Sequence, residues 1–139
     1  MIVADTNVVS ELMRPSPSPA VRDWASRQAA GGLYTTAITV AEIRYGVERL
    51  PRGRRKDRLQ SAADEVFAAF SEYVLPFDAG AAVHYARIAR HRDEAGLPIA
   101  GFDVQIAAIC RAHGAALATR NTKDFLETRV EVIDPWRSP

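Results

Sequence analysis

Four carboxylates are the residues of this chain with the clearest capacity for chemistry. Asp5 directly follows the apolar run Ile2–Ala4, with no basic residue close to it in sequence. Taken singly, such acids are explained as turn residues, capping-box residues or first-turn acids favoured by the helix dipole. The four recur at predicted junctions between elements, accompanied by polar Thr and Asn residues: Asp5, Glu42, Asp103 and Asp124.

If these junctions converge, the carboxylates share one pocket. Their charges would repel one another and raise their pKa values unless a cation were bound, and hard oxygen ligands select Mg²⁺ or Mn²⁺. A divalent ion held in this way lowers the pKa of a bound water and stabilises the leaving oxygen of a phosphodiester. The residues therefore indicate metal-assisted phosphodiester hydrolysis, of RNA or of DNA.

Short strands alternate with helices along the chain, which is typical of an α/β domain with a mainly parallel central sheet. In such folds ligands bind beyond the carboxyl ends of the strands, where several of the acids fall. A capping box of Thr39 and Glu42 predicts the start of one helix, which continues to residue 50. The other predicted helices cover 8–13, 19–30, 54–71, 79–95 and 102–113, and the strands cover 2–4, 33–37, 74–77, 116–118 and 130–133.

Composition limits the remaining classes of protein. A length of 139 residues predicts one domain, 1–139, and 18 basic against 17 acidic residues exclude a global field that attracts nucleic acid. The one cysteine, Cys110, lies in an apolar helical context and predicts a core thiol in a reducing compartment. Neither a long apolar run nor a basic leader is present, so we expect a soluble cytoplasmic protein that does not contact a membrane.

Other catalytic and binding motifs are missing from the sequence. It contains no P-loop, no GxGxxG, no HExxH and no pair of cysteine ligands. His84 and His91 lie seven residues apart without a third ligand, which favours surface or packing roles. The basic stretch from Arg44 to Arg58 is either a solvated helix face or a phosphate contact.

Four ordered segments together resemble a known family. They are IVADTNVVSE (2–11), TVAE (39–42), FDVQIAA (102–108) and TRNTKDF (119–125). In this order and spacing, the chain closely resembles PIN-domain ribonucleases of the VapC toxin type, nearest to the FitB-like subgroup. The likeness covers essentially the whole chain.

This resemblance implies a three-layer α/β/α PIN-like domain and a Mg²⁺- or Mn²⁺-dependent endoribonuclease. It also implies a homodimer and a cognate antitoxin, similar to VapB or FitA, whose carboxyl-terminal segment blocks the acidic pocket within a larger toxin–antitoxin assembly. Transfer RNA or a ribosomal RNA loop would be a typical substrate. The RNA target, the number of metal ions, the identity of the antitoxin and the oligomeric state are left open.

Carried over residue by residue, Asp5 and Asp103 match the principal metal-binding aspartates, and Glu42 matches their acidic partner. Relatives place the fourth acid where either Asn121 or Asp124 stands; because Asn121 is an amide, we favour Asp124 as an outer ligand. The predicted catalytic and metal-binding set is therefore Asp5, Glu42, Asp103 and Asp124. Four residues are expected to position these ligands or water: Thr6, Asn7, Thr119 and Asn121.

Basic residues complete the predicted site. The stretch that could hold an RNA strand is also the region that faces the antitoxin in this family. The residues expected to contact RNA or antitoxin are Arg44, Arg52, Arg54, Arg55 and Arg120.

Two other interpretations compete with the nuclease. One is a PIN-like binding module that holds metal weakly and acts through a DNA-bound antitoxin complex. The other is a phosphoryl-accepting receiver domain, which needs paired acids after the first strand and an acceptor aspartate after the third. This chain has one acid at the first place, and Asp78 at the second place resembles a helix cap, so the receiver interpretation is disfavoured.

Overall fold

A central sheet of parallel strands organises the part of the chain that the computed structural model describes, residues 1–137. The strand order is β3-β2-β1-β4-β5, and every pairing among them is parallel, which confirms the predicted α/β class. The strands are β1 (Ile2–Ala4), β2 (Leu33–Thr36), β3 (Val74–Leu75), β4 (Ala116–Ala118) and β5 (Val132–Ile133). Since β1 is central, the residue that follows it lies in the middle of the carboxyl edge.

Helices cover both faces of this sheet. They are α1 (Thr6–Leu12), α2 (Pro19–Ser26), α3 (Ala37–Glu48), α4 (Arg54–Phe70), α5 (Ala79–Glu94) and α6 (Gly101–His113), with 3₁₀ turns at Ser71–Tyr73 and Thr122–Phe125. Within residues 1–137, no helix combines the length and apolar character needed to cross a membrane.

Two hydrophobic clusters pack against opposite faces of the sheet. Successive strand residues point to opposite faces, and accordingly Val3 belongs to the cluster with α5 and α6, whereas Ala4 belongs to the cluster with α1, α2 and α4. Both residues are fully buried, as parallel sheets covered by helices require. The predicted three-layer α/β/α arrangement is therefore present.

The single cysteine lies inside the first cluster. Cys110 is fully buried on α6, and burial raises the pKa of its thiol to about 12. A thiol that stays protonated at neutral pH is a poor nucleophile, which agrees with the predicted core role.

The predicted capping box is wrong. Helix α3 begins three residues earlier than the box implied, because the Thr36 hydroxyl at the end of β2 accepts the Thr39 backbone N–H at 3.1 Å. Strand and helix therefore join without a loop. Glu42 lies one turn further into the helix, and its carboxylate is free to face another element.

Other boundaries differ by a few residues. Helix α1 begins at Thr6 rather than at residue 8, because the Asp5 side chain accepts the Thr6 N–H and caps the helix. Helix α2 ends at Ser26 instead of residue 30, before a turn in which Gly31 has a φ of 76°. Strands β3 and β5 are shorter than predicted, whereas the cap at Asp78 is confirmed.

Candidate active site

Asp5 forms the centre of the candidate site. It follows β1 and is 4% exposed, and its Oδ1 accepts the Thr6 backbone N–H at 2.8 Å. Its Oδ2 accepts the Thr119 hydroxyl at 2.8 Å, and the Asn7 amide lies at 3.5 Å from the same oxygen. Thr119 follows β4, the neighbour of β1 in the sheet, so adjacent strand ends fix this carboxylate from two sides.

Thr6 connects this centre to Glu42. The Thr6 hydroxyl donates to Glu42 Oε1 at 2.9 Å and lies 3.1 Å from the Thr39 hydroxyl. Thr39 is fully buried and lies one turn before Glu42 on α3. Thr6, which directly follows Asp5, thus holds the Glu42 carboxylate at the carboxyl edge of the sheet.

Asn7 and the segment after β4 form a second network. The Asn7 amide donates to the Thr119 hydroxyl oxygen at 3.0 Å, and Asn7 Oδ1 accepts the Arg120 backbone N–H at 3.1 Å. The Asn121 backbone N–H also donates to the Thr119 oxygen, at 3.1 Å. Thr119 therefore orders the loop that leads to Asp124.

Electrostatic repulsion links all four acids. Burial is the main cause that raises the pKa of Asp5, Glu42 and Asp103, and the pKa of Asp103 reaches about 6. The charges of Asp5, Asp124 and Glu42 raise the pKa of Asp103 further. The predicted convergence of the carboxylates is present at the carboxyl edge of the sheet.

Asp124 and Asn121 differ in their relation to this cluster. The charge of Asp124 raises the pKa of both Asp5 and Asp103. Asn121 instead contributes its backbone to the loop, since its carbonyl accepts the Asp124 N–H at 3.0 Å. Which of the two residues fills the fourth position of the family, and whether Asp124 acts as an outer ligand, stay predictions.

The carboxylate oxygens of the acidic cluster suit a hydrated hard cation such as Mg²⁺. Across residues 1–137, no group of three His, Cys, Asp or Glu side chains is arranged to hold one metal ion. Mg²⁺ does not need such a group, because it commonly keeps several waters and binds proteins through one or two carboxylates. Asp5 and Asp103 fit that requirement, since each has an oxygen-only side chain and their mutual repulsion would be relieved by a cation.

Arg92 is a residue of this site that the sequence did not predict. It is 4% exposed on α5 and donates to three backbone carbonyls: Leu97 at 2.8 Å, Pro98 at 3.0 Å, and Leu126. The first two lie in the loop before α6, which carries Asp103, and Leu126 lies two residues after Asp124. Its positive charge also lowers the pKa of Asp103, against the larger effects that raise it.

The predicted basic contacts fall in two places. Arg44 forms an ion pair with Asp64 and lies over the Phe67 ring, 5.4 Å from its centroid. Before and within the first turn of α4, three exposed arginines make no ion pair within the described chain: Arg52, Arg54 and Arg55.

Arg120 lies closer to the acids. It is exposed, directly follows Thr119, and stacks over Trp136 at 5.0 Å. Its backbone N–H donates to Asn7 Oδ1, which connects it to the residue two positions after Asp5.

Comparison with known proteins identifies the family. The PIN domain family model matches residues 2–131. The chain is 42% identical to the VapC ribonuclease Y4jK of Sinorhizobium fredii, over 98% of each chain. It is 39% identical to Toxin FitB of Neisseria gonorrhoeae, over 98% of this chain and 99% of that protein.

A solved structure of FitAB bound to an IR36 DNA fragment contains a similar chain, with 38% identity and a TM-score of 0.91. That match covers 100% of this chain and 98% of the other. Fold and sequence agree over nearly the full length. The chain belongs to the PIN-domain family.

Proposed function

We propose that this protein is an endoribonuclease that uses Mg²⁺ or Mn²⁺, and that it acts as the toxin of a toxin–antitoxin pair. The observation that carries the proposal is the convergence of four carboxylates, three of them with raised pKa values, at the carboxyl edge of the sheet. Relatives named as ribonucleases and toxins support the class of reaction and the biological role.

Asp5 and Asp103 would hold the ion, with Glu42 and Asp124 completing the site through water. A divalent ion in this position supplies an activated water and stabilises charge on the scissile phosphate. Hydrogen bonds from Thr6 and Thr119 hold the Asp5 carboxylate in one orientation before any ion binds. This preorganisation reduces the cost of ordering ligands during the reaction.

Arginines would bind the substrate strand. Arg120 lies beside the acidic cluster, and its guanidinium over Trp136 offers a cationic platform for a phosphate. Arg52, Arg54 and Arg55 could extend the contact or bind the antitoxin. We propose the RNA of the cytoplasm as the substrate pool, with transfer RNA or a ribosomal RNA loop as the first targets to examine.

The partner proposal rests on the relatives. A protein similar to VapB or FitA would cover the acidic pocket with its carboxyl-terminal segment, and two copies of this chain would form a homodimer within the complex. The FitAB structure bound to DNA favours a second function, in which the chain acts through a DNA-bound complex with its antitoxin.

The decisive experiment compares RNA cleavage by the antitoxin-free protein and by Asp103→Asn. Discrete RNA fragments are expected only from the wild type, with Mg²⁺ or Mn²⁺ and not with EDTA. Asp23→Asn on α2 removes the same charge away from the cluster and should cleave normally. Matched oligodeoxynucleotides distinguish RNA from DNA cleavage.

Equal cleavage by the wild type and Asp103→Asn would contradict the nuclease assignment. If the folded wild type cut neither nucleic acid in the presence of metal, the binding-module function would be favoured. Asp103→Asn should then still support a DNA-bound complex with the antitoxin, measurable by a mobility shift on the operator DNA.

A further inference from the structure

A cavity lined by cationic side chains lies between α5, α6 and the loop 127–129, apart from the acidic cluster. Its volume is about 280 Å³. Arg111 lines it from the last turn of α6, eight residues beyond Asp103, which corresponds to about 12 Å along the helix axis. None of the four clustered acids lines this cavity. Its charged and titratable lining consists of His84, Arg87, His91, Arg111, Glu127 and Arg129.

The positive charge of this cavity is largely uncompensated. Glu127 is its one acid, and Glu127 Oε2 lies 2.8 Å from His91 Nε2. Arg87, Arg111 and Arg129 make no ion pair with any described residue. Arg111 uses one N–H to reach the Arg129 carbonyl at 3.1 Å, which leaves its charge unpaired. Its histidines aside, three arginines against one glutamate give the cavity a net charge of about +2.

The loop that closes the cavity has an unusual backbone. Glu127 and Arg129 have φ values of 62° and 60°, in the left-handed region that side-chain-bearing residues rarely adopt. Thr128 between them is buried, and its hydroxyl donates to the Phe125 carbonyl at 2.7 Å. The loop is therefore held in a costly conformation while both flanking side chains line the cavity. Such backbone strain is concentrated at binding and catalytic sites.

We propose that this cavity binds a phosphate group of the RNA strand, outside the acidic site. The inference rests on the proposed function, since it names a contact of the same substrate. Arginine matches phosphate through its planar fork of donors. The described lining contains no Phe, Tyr or Trp, and its two histidines and three arginines all carry N–H groups that can donate to phosphate oxygens. The cavity is therefore suited to the backbone of the strand.

Inorganic phosphate is the direct probe, because its binding needs no cleavage. In an NMR titration at low ionic strength, phosphate should shift the amide resonances of Arg111 and of 127–129. The double variant Arg87→Gln/Arg129→Gln should weaken this binding at least tenfold. The control Arg22→Gln/Arg90→Gln removes the same charge from α2 and from the outer face of α5. It should change the phosphate affinity less than twofold. Equal reductions of affinity in both double variants, or no shift at the cavity, would overturn the proposal.

A second experiment distinguishes binding of RNA from binding of free phosphate. Binding of a single-stranded RNA is measured at several salt concentrations in the Asp103→Asn background, so that no strand is cut. Removing the two cavity arginines should lower affinity and reduce the salt slope by about 0.7 for each RNA phosphate that the protein no longer neutralises. If phosphate binding disappeared while RNA affinity and salt slope stayed unchanged, the site would bind a free anion and the RNA assignment would be wrong. Failure of the wild type to cleave RNA would contradict the proposed function without affecting either binding result.

Arg129→Gly tests whether the residue binds or only shapes the loop. Glycine adopts the observed φ without strain, so the variant should unfold at the same or a higher temperature than the wild type. Phosphate affinity should nevertheless fall as it does for Arg129→Gln. Wild-type phosphate affinity in Arg129→Gly would overturn the role of this guanidinium.

Discussion

The Thr119 hydroxyl donates to Asp5 Oδ2 at 2.8 Å, across 114 positions of the chain. This bond joins the residues that follow β1 and β4, the two neighbouring strands at the centre of the sheet. The same oxygen of Thr119 accepts the Asn7 amide at 3.0 Å and the Asn121 N–H at 3.1 Å. One buried hydroxyl therefore orients the central carboxylate and the loop that leads to Asp124.

Replacing Thr119 with valine should impair metal binding more than folding. The change keeps the side-chain shape but removes a hydrogen bond that lowers the pKa of Asp5, so that pKa should rise further. Removing the hydroxyl from a buried network should reduce the free energy of unfolding by about 1–3 kcal/mol. Isothermal titration with Mn²⁺ and chemical denaturation measure the two effects.

Thr35→Val is the matched control for that change. Thr35 is also fully buried, but its hydroxyl donates to the Ala4 backbone carbonyl at 3.0 Å and not to a carboxylate. It should show a similar decrease of stability with nearly unchanged Mn²⁺ affinity. Equal Mn²⁺ affinities for Thr119→Val and Thr35→Val would contradict the role assigned to Thr119.

Asp103→Asn should stabilise the metal-free protein at pH 7. The pKa of Asp103 rises from 3.8 to about 6 on folding, so the folded state binds its proton more tightly, and stability falls as pH rises through this interval. After allowance for solvent screening, removing the charge should add about 1 kcal/mol at pH 7. Denaturation in EDTA should show this gain at pH 7 and its disappearance below about pH 4. A variant less stable than the wild type at pH 7 would contradict a raised pKa of Asp103 in the folded protein.

Metal affinity should increase as pH rises through about 6. An ion binds the ionised carboxylate, and the raised pKa of Asp103 means that protons compete with metal up to that pH. A concentration of Mg²⁺ one hundred times its Kd should stabilise the folded protein by about 2.7 kcal/mol. Thermal unfolding with Mg²⁺ or EDTA measures the stabilisation by the metal. Repeating it at pH 5 and pH 7.5 measures how that stabilisation depends on pH. The same Mg²⁺ stabilisation at the two pH values would exclude Asp103 as a ligand.

Arg92→Met should loosen both segments that flank the site. The change leaves the carbonyls of Leu97, Pro98 and Leu126 without their donor and should cost about 3 kcal/mol of stability. Amide hydrogen exchange should accelerate at 99–103 and at 122–127. Arg92→Lys keeps the charge but lacks the fork of donors, and it should restore only part of the protection. Uniform acceleration across the whole chain would instead indicate a general decrease of stability.

The sequence predicts those parts of the site that depend on residues adjacent in the chain, and it does not predict those that depend on contacts between distant segments. Asp5 was found because an acid directly follows a short apolar strand, and its position at the centre of the edge follows from parallel strand order. The capping box at Thr39 and Glu42 was wrong because an equally suitable cap, Thr36, stands three residues earlier. Which of two threonines caps a helix is decided by where the preceding strand ends.

Arg92 could not be predicted because its partners are backbone carbonyls of distant segments. Such acceptors exist at every residue, so the sequence carries no complementary pattern that identifies them. The cavity at 127–129 was missed for a related reason, since two left-handed residues with ordinary side chains, Glu127 and Arg129, give no glycine signal.

The central position of β1 also affects when the site can form during synthesis. The residues of β1 leave the ribosome more than one hundred residues before β4 and Thr119, which fix the Asp5 carboxylate. At about 5–20 residues per second, the nascent chain spends several seconds with Asp5 exposed and unpaired. The acidic cluster cannot assemble until β4 and the segment that carries Asp124 have been made, so a ribosome translating this protein meets no completed acidic site before then.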